Sequence, residues 1–380
     1  MSVRAHSSTP AVQVPFVDLT LQTRGLRDEI LGDVERLLET GAFVNGPAVE
    51  AFESAFAAST GRALCVGVAS GLDALRLALV ATGLEPGDEV LVPAMTFVAT
   101  FEAVAQAGGV PVPVDVRPGD VGIDVEAAEA SCTERTRFAM PVHLYGQPVD
   151  QVALRALAER RKLIVVEDAC QAHGAERDGL RAGTSGLAAA YSFYPSKNLG
   201  AMGDAGALVT DDDALADRVR ALRQHGERRR YHSEEIGYTA RLDALQALVL
   251  TRKLPHLEGW NEERIAAAAR YTHALDGVGD LVLPTTMPAT RHVWHLYTVR
   301  TAAPERLAEH LQARGVSTGR HYPEPPHLSG AFAHLGHGHG AFPVAETIGR
   351  ETLSLPIYPG ITEEQQDAVV RAVRDFFERG

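Results

Sequence analysis

The chain has 380 residues, 45% hydrophobic and 22% charged, with a formal net charge of −13 and a pI near 5.6. Such a composition supplies ample apolar material, and the length exceeds one ordinary core, so a large domain plus a smaller one is expected. The acidic balance argues against a nucleic-acid binder driven by phosphate neutralisation, and no uninterrupted apolar run reaches the roughly 20 residues that cross a bilayer.

The N-terminal "MSVRAHSSTP" lacks the apolar centre of a signal peptide. Cys65, Cys132 and Cys170 are odd in number, far apart and without CxxC spacing. They suggest neither a disulfide framework nor a zinc ribbon, and a reducing cytoplasm is the expected location.

From about residue 62 to 209, short β-branched runs alternate with amphipathic segments such as "LDALRLALVATG" and "DQVALRALAERR". This alternation predicts βαβ units and an α/β fold, with a mainly parallel sheet covered by helices on both faces. Functional groups should then collect at the carboxyl ends of the strands.

The first run, "ALCVGV", leads through Ser70 and Gly71 straight into an apolar helix. Unpaired first-turn amides make that junction an anion site, although Ser-Gly before a helix can also be a cap alone. A second connection, "PAMTFVATFEA", offers Phe97 as a ring able to stack on a flat ligand. A third, "KLIVVEDACQAHGA", delivers Glu167 and Asp168 at the end of an apolar strand. An unpaired carboxylate there is costly, so it needs a partner, with a helix cap or a salt bridge as the ordinary alternatives. No GxGxxG opens an early strand and helix, which disfavours a dinucleotide ribose ligand.

"AAAYSFYPSKNLG" brings Ser192 and then Lys197. Of 36 basic residues only Lys162, Lys197 and Lys253 are lysines. Arginine serves as a surface cation but cannot shed its proton at neutral pH, so a lysine kept among Gly200, Gly203 and Gly206 suggests an amine nucleophile. An exposed loop cation is the plainer alternative. Lys162 stands at a strand entrance and Lys253 in a predicted helix.

Arg218, Arg220, Arg223, Arg228, Arg229 and Arg230 crowd one segment, which is either a solvated helix end or an electropositive entrance for an anionic ligand. After a helical stretch at about residues 242–275 the texture turns Pro-rich and irregular, then ends in the helix of "TEEQQDAVVRAVRDFF". The expected division is a large domain over residues 14–254 and a smaller α+β domain over 255–380. His334, His337 and His339 alternate with glycines and lack metal-ligand spacing, so no metal is expected there.

Three neighbouring connections could thus supply an anion cradle, a carboxylate and a neutralisable amine. Pyridoxal 5′-phosphate (PLP) requires these three: a phosphate site, an acid beside its ring nitrogen and a lysine that forms the Schiff base.

The ordered motifs "GPAVEAFESAFA", "VASGLDALRLAL", "VPAMTFVAT", "VHLYGQ", "EDACQAHGA", "SFYPSKNLGAMGDAGAL" and "GYTARLDALQA" resemble the DegT/DnrJ/EryC1/StrS family of PLP-dependent sugar aminotransferases, from about Val14 to the C-terminus. The resemblance implies a fold type I PLP-dependent transferase. It matches Lys197 to the Schiff-base lysine, Asp168 to the partner of the pyridinium nitrogen and Gln171 to the contact of the cofactor's 3-hydroxyl. Ser70, Ser192, Gly71 and Leu72 match the phosphate cradle, and Phe97 the stacking ring; His173 lies beside them.

One departure stands out. Where the family usually has an asparagine reaching the neighbouring subunit's phosphate, this chain has Thr239, followed by Arg241. The resemblance also implies a homodimer with shared active sites, L-glutamate as amino donor and pyridoxamine phosphate as the intermediate cofactor form. "GRHYPEPPHL" resembles a sugar-approaching segment, so His321 and Tyr322, with Tyr194, Arg241 and Arg229, are the expected substrate contacts. A dTDP-linked 3-keto-6-deoxyhexose is the expected acceptor, ahead of a 4-keto sugar. A keto-cyclitol is the runner-up. Sugar dehydration would call for histidine in place of Lys197, and a non-catalytic PLP-binding regulator would call for loss of Asp168 or Lys197.

Overall fold

The computed structural model describes residues 12–379. Its centre is a seven-stranded sheet built from β1 (Leu64–Val68), β2 (Glu89–Pro93), β3 (Val110–Val114), β4 (Thr136–Ala139), β5 (Ile164–Asp168), β6 (Ala188–Ser192) and β7 (Gly206–Thr210). The order across the sheet is β1-β7-β6-β5-β4-β2-β3. Strands β6, β5, β4, β2 and β3 are mutually parallel, whereas β7 runs antiparallel to both of its neighbours. The expected parallel sheet therefore holds except at β7, which follows β6 as a hairpin.

Strand side chains alternate, and both faces are buried, as the near-continuous apolar runs require. On one face Val66, Val90, Val166, Ala190 and Leu208 pack against the helices Gly71–Ala81, Ala99–Ala107 and Asp213–Leu222. On the other, Cys65, Ala189, Tyr191, Ala207 and Val209 meet the helices Pro47–Thr60 and Ala244–Lys253. Alanines at 188–190 keep β6 thin, so helices approach it closely from both sides.

The C-terminal layer has its own core. A two-stranded antiparallel sheet, β8 (Tyr297–Arg300) and β9 (Thr352–Leu355), packs with the helices Leu257–Leu275, Pro304–Gln312 and Glu363–Arg379. Val14 joins this core rather than the large one, held by Val14 N to Gly315 O at 2.8 Å and Ser317 N to Val14 O at 2.9 Å. The N-terminal segment is thus carried back to the C-terminal layer, which places Phe16 and Val17 beside the cavity between the two cores.

Candidate active site

β5 emerges with Val166 and Asp168 on the face of the helix Gly71–Ala81 and Glu167 on the opposite face. Both carboxylates are buried, yet they are satisfied differently. Glu167 accepts from the amides of Gly183 (3.0 Å), Ser185 (2.7 Å) and Gly186 (2.6 Å), and lies 2.8 Å from His143 Nε2. Burial pushes its carboxyl up, but the His143 bond and the amides outweigh that and hold it below the ordinary range. Asp168 accepts from Thr100 Oγ1 at 2.9 Å and from the Cys170 amide at 3.2 Å. Glu167 anchors the loop that feeds β6, and Asp168 faces the cavity.

Lys197 sits on the hairpin between β6 and β7. Phe193 N bonds Ala205 O at 2.8 Å, Ala201 N bonds Phe193 O at 2.8 Å, and Lys197 N bonds Tyr194 O at 2.8 Å, which closes the loop on itself. Its neighbour Asn198 is buried and donates to Asn261 Oδ1 (2.8 Å) and Val293 O (2.9 Å). Lys253, which the sequence placed only in a helix, is buried and donates from Nζ to Gly200 O at 2.7 Å. The loop is therefore clamped from behind. Loss of water on burial pushes the Lys197 ammonium below the ordinary lysine range, while Cys170 and Asp168 oppose that shift.

The anion cradle is equally tight. Ser70 caps the helix Gly71–Ala81 by accepting from Asp73 N, and Ser70 O takes Ala74 N, so the Gly71 and Leu72 amides precede the first intrahelical bond. A Cβ on Gly71 would stand 2.8 Å from both Cys170 Sγ and Ser192 Cβ, and one on Gly206 would stand 2.3 Å from Ser70 C and O. Only glycine lets these backbones meet around the end of the helix.

These groups converge on one cavity of about 500 Å³, lined among others by Ser70, Gly71, Leu72, Phe97, Asp168, Gln171, Ser192, Tyr194, Lys197, His321 and Tyr322. Phe97 is 49% exposed, and its ring centroid lies 5.3 Å from that of Tyr322. Gln171 Oε1 accepts from Tyr145 N at 2.8 Å, and its Nε2 donates to Tyr322 Oη at 3.1 Å. Tyr145 in turn donates its hydroxyl to His321 O. His321 stacks on Phe16 with centroids 5.5 Å apart, and its Nδ1 lies 2.9 Å from Ser354 Oγ. Burial, followed by the Lys197 charge, pushes the His321 imidazolium down to about 4, so the ring is neutral near pH 7.

Three expected contacts lie elsewhere on this chain. Thr239, Arg241 and Arg229 do not line the cavity. Thr239 Oγ1 lies 3.3 Å from His225 Nε2, Arg241 bridges to Val68, and Arg229 is exposed on a hairpin beside His232. The arginine cluster is largely paired: Arg218 with Glu235, Arg220 with Asp217, Arg223 with Glu53 and Arg228 with Glu234. Within one chain it does not form the entrance to this cavity. His173 is also outside it, packed among Phe56, Tyr191 and Phe193.

The sequence reading missed Thr100, Phe16, His295 and Arg264, all of which belong to the cavity or to its carboxylate. Each lies more than 60 residues from Asp168 and Lys197 in sequence or on a different layer, so no local motif marks it.

Residues 25–374 match the model of the DegT/DnrJ/EryC1/StrS aminotransferase family. The chain belongs to that family. Among its curated relatives, the dTDP-3-amino-3,4,6-trideoxy-alpha-D-glucose transaminase of Streptomyces venezuelae is 48% identical over 379 residues, covering 100% of this chain and 99% of that one. Among solved structures, S. venezuelae DesV in complex with a ketimine intermediate superposes with a TM-score of 0.94 at 47% identity, covering 97% of this chain and 99% of that one. Bacillus subtilis NtdA with bound PMP superposes with a TM-score of 0.90 at 32% identity, covering 98% of this chain and 87% of that one. Both solved structures thus share the fold of this chain almost end to end.

Proposed function

We propose that this protein is a PLP-dependent aminotransferase that moves an amino group from L-glutamate to a dTDP-linked 3-keto-6-deoxyhexose. The observation that carries the reading is a half-buried lysine of lowered proton affinity lining one cavity with a doubly hydrogen-bonded aspartate and a helix N-terminus. Full-length likeness to the 3-amino-sugar transaminase supports the acceptor.

The residues present fit the cofactor. Glycines at 71 and 206 let the Ser70, Cys170 and Ser192 segments close around the helix end with its first amides free, and Ser70 and Ser192 add hydroxyls beside them. Bound there, PLP supplies an aldehyde carbon that takes the amino group and a cationic ring that holds electrons. Asp168 orients and stabilises that cation, itself held by Thr100 and the Cys170 amide. Lys197, with its ammonium weakened by loss of water, would anchor the group and hold or release a proton at Nζ, a role in which acid–base catalysis typically contributes about 10² to 10⁴ in rate. Phe97 covers the ring, and Tyr322 and His321 face the sugar. Tyr194, Arg241 and Arg229 complete the substrate contacts, the last two from the partner copy of a homodimer.

A regulator without catalysis would have discarded Lys197 or Asp168, and both are present and aimed into one cavity. The test is an absorbance spectrum with PLP. A band near roughly 410 to 420 nm that gives way to one near about 330 nm on adding L-glutamate supports the reading, and recovery of the first band then identifies the keto sugar. Failure to form the first band would remove Lys197 as the cofactor's anchor.

A further inference from the structure

Arg264, on the helix Leu257–Leu275, is 2% exposed and lines the same cavity as Lys197 and His321. Its Nη1 donates to three carbonyls, Ile357 O at 2.9 Å, Trp294 O at 3.2 Å and His295 O at 3.4 Å. Nε has no hydrogen-bond partner. Nη2 has none among the described residues either, and no carboxylate forms an ion pair with this guanidinium there. The adjacent Glu263 is engaged with Gly360 N at 2.7 Å, and the cavity's own carboxylates, Glu102, Asp168 and Asp204, do not reach it.

A buried cation without a counter-charge is costly, and donors left without acceptors add to the cost. Burial lowers the guanidinium only to about 10, so it stays charged at neutral pH. The carbonyls fix one corner of the planar fork and leave the rest for an anion. The geometry points to Arg264 as the binding site for a carboxylate of the amino donor and of its 2-oxo acid product. This assignment rests on the aminotransferase reading and deepens it.

Other anions fit less well. A cofactor phosphate has its own cradle at Gly71, Leu72 and Ser192. The diphosphate of a nucleotide sugar is too bulky to reach a buried wall of a cavity of about 500 Å³ shared with the cofactor. A carboxylate is planar and small, and arginine recognises it through paired N–H donors.

The experiment uses PLP-loaded enzyme and the variants Arg264→Lys and Arg264→Gln. Half-saturation by L-glutamate, read as loss of the roughly 410 to 420 nm band, should rise about 10- to 100-fold, since a hydrogen-bonded charge pair is lost. Half-saturation by the keto sugar should move less than about 3-fold. L-Alanine as an alternative donor tells which carboxylate is held. An equal loss for both donors assigns the α-carboxylate, and a loss confined to glutamate assigns the side-chain one.

Unchanged glutamate saturation, or equal weakening of donor and keto sugar, would overturn the assignment and leave Arg264 as a strut between layers. Should the glutamine variant fail to fold, calorimetric titration of wild type and Arg264→Lys with glutarate decides. Binding by the wild type alone upholds the site, and equal or absent binding in the two refutes it. A wild type that binds glutarate but leaves the absorbance band untouched with glutamate would refute the aminotransferase reading rather than the anion site.

Discussion

Gln171 donates to the hydroxyl of Tyr322 across 3.1 Å, joining the end of β5 to a loop of the C-terminal layer. Gln171 is buried, so Tyr322→Phe leaves its Nε2 without an acceptor, at a cost of about 1–3 kcal/mol. The expected outcome is a keto-sugar kcat/KM lowered about 10-fold, with a smaller change for glutamate. Steady-state kinetics with each substrate varied in turn checks it.

Asp168 should be sensitive in two grades. Asp168→Asn removes the charge proposed to face the cofactor ring and should cost about 10² to 10³ in kcat, the range seen when one electrostatic stabiliser is lost. Thr100→Val removes only one hydrogen bond to that carboxylate and should cost about 5- to 10-fold. Equal losses in the two variants would show that Thr100 does more than orient Asp168.

Acid should destabilise the fold through its buried imidazoles. His173 and His292 are pushed down to about 3, in both cases mainly by burial, from an ordinary value of 6.5. Between these values the unfolded chain binds more protons, so stability present above pH 6.5 is lost as pH falls toward 3. Each group contributes a slope of up to about 1.4 kcal/mol per pH unit. His173→Phe, in a pocket of aromatic rings, should flatten denaturant-derived stability against pH by up to one such increment, and parallel wild-type and variant curves would contradict its being buried neutral.

Gly206→Ala should push a methyl group into Ser70 at the mouth of the anion cradle. Overpacking of this kind costs about 1–3 kcal/mol. Because the displaced atoms hold the Gly71 amide, cofactor retention should suffer more than thermal stability. Fluorescence titration with PLP beside a melting curve separates the two.

The proposed sharing of active sites across a homodimer can be checked by mixing. Lys197→Ala and Arg241→Ala should each be inactive alone, and hybrids formed from the mixture should recover about 25% of wild-type activity, since half of the dimers carry one intact site. No recovery would place Arg241 in its own chain's chemistry or outside the site altogether.

The sheet was readable because its strands are short apolar runs with abrupt polar ends, and Asp168 and Ser192 are the last residues of two of them, with Lys197 in the loop that follows. The direction of β7 was not, because "GALVT" has the same texture whether it runs parallel or antiparallel. Lys253 read as an ordinary helix cation, since its bond to Gly200 O spans 53 residues. Arg264 was hidden for a similar reason, since its partners Trp294, His295 and Ile357 come from two distant segments that only the packed C-terminal layer brings together.

The antiparallel β7 bears on how this protein can change. The parallel strands are joined by long crossovers that can be lengthened at their tips without disturbing the strands. The turn that carries Lys197 has no such slack, because adjacent strands pin both of its ends and Gly200 lies so close to Pro195 that an added Cβ would stand 2.2 Å from that residue's carbonyl oxygen. Insertions that diversify substrate choice should therefore be tolerated around the rim and selected against between Phe193 and Ala205, which makes this hairpin the segment to leave untouched when the enzyme is re-engineered.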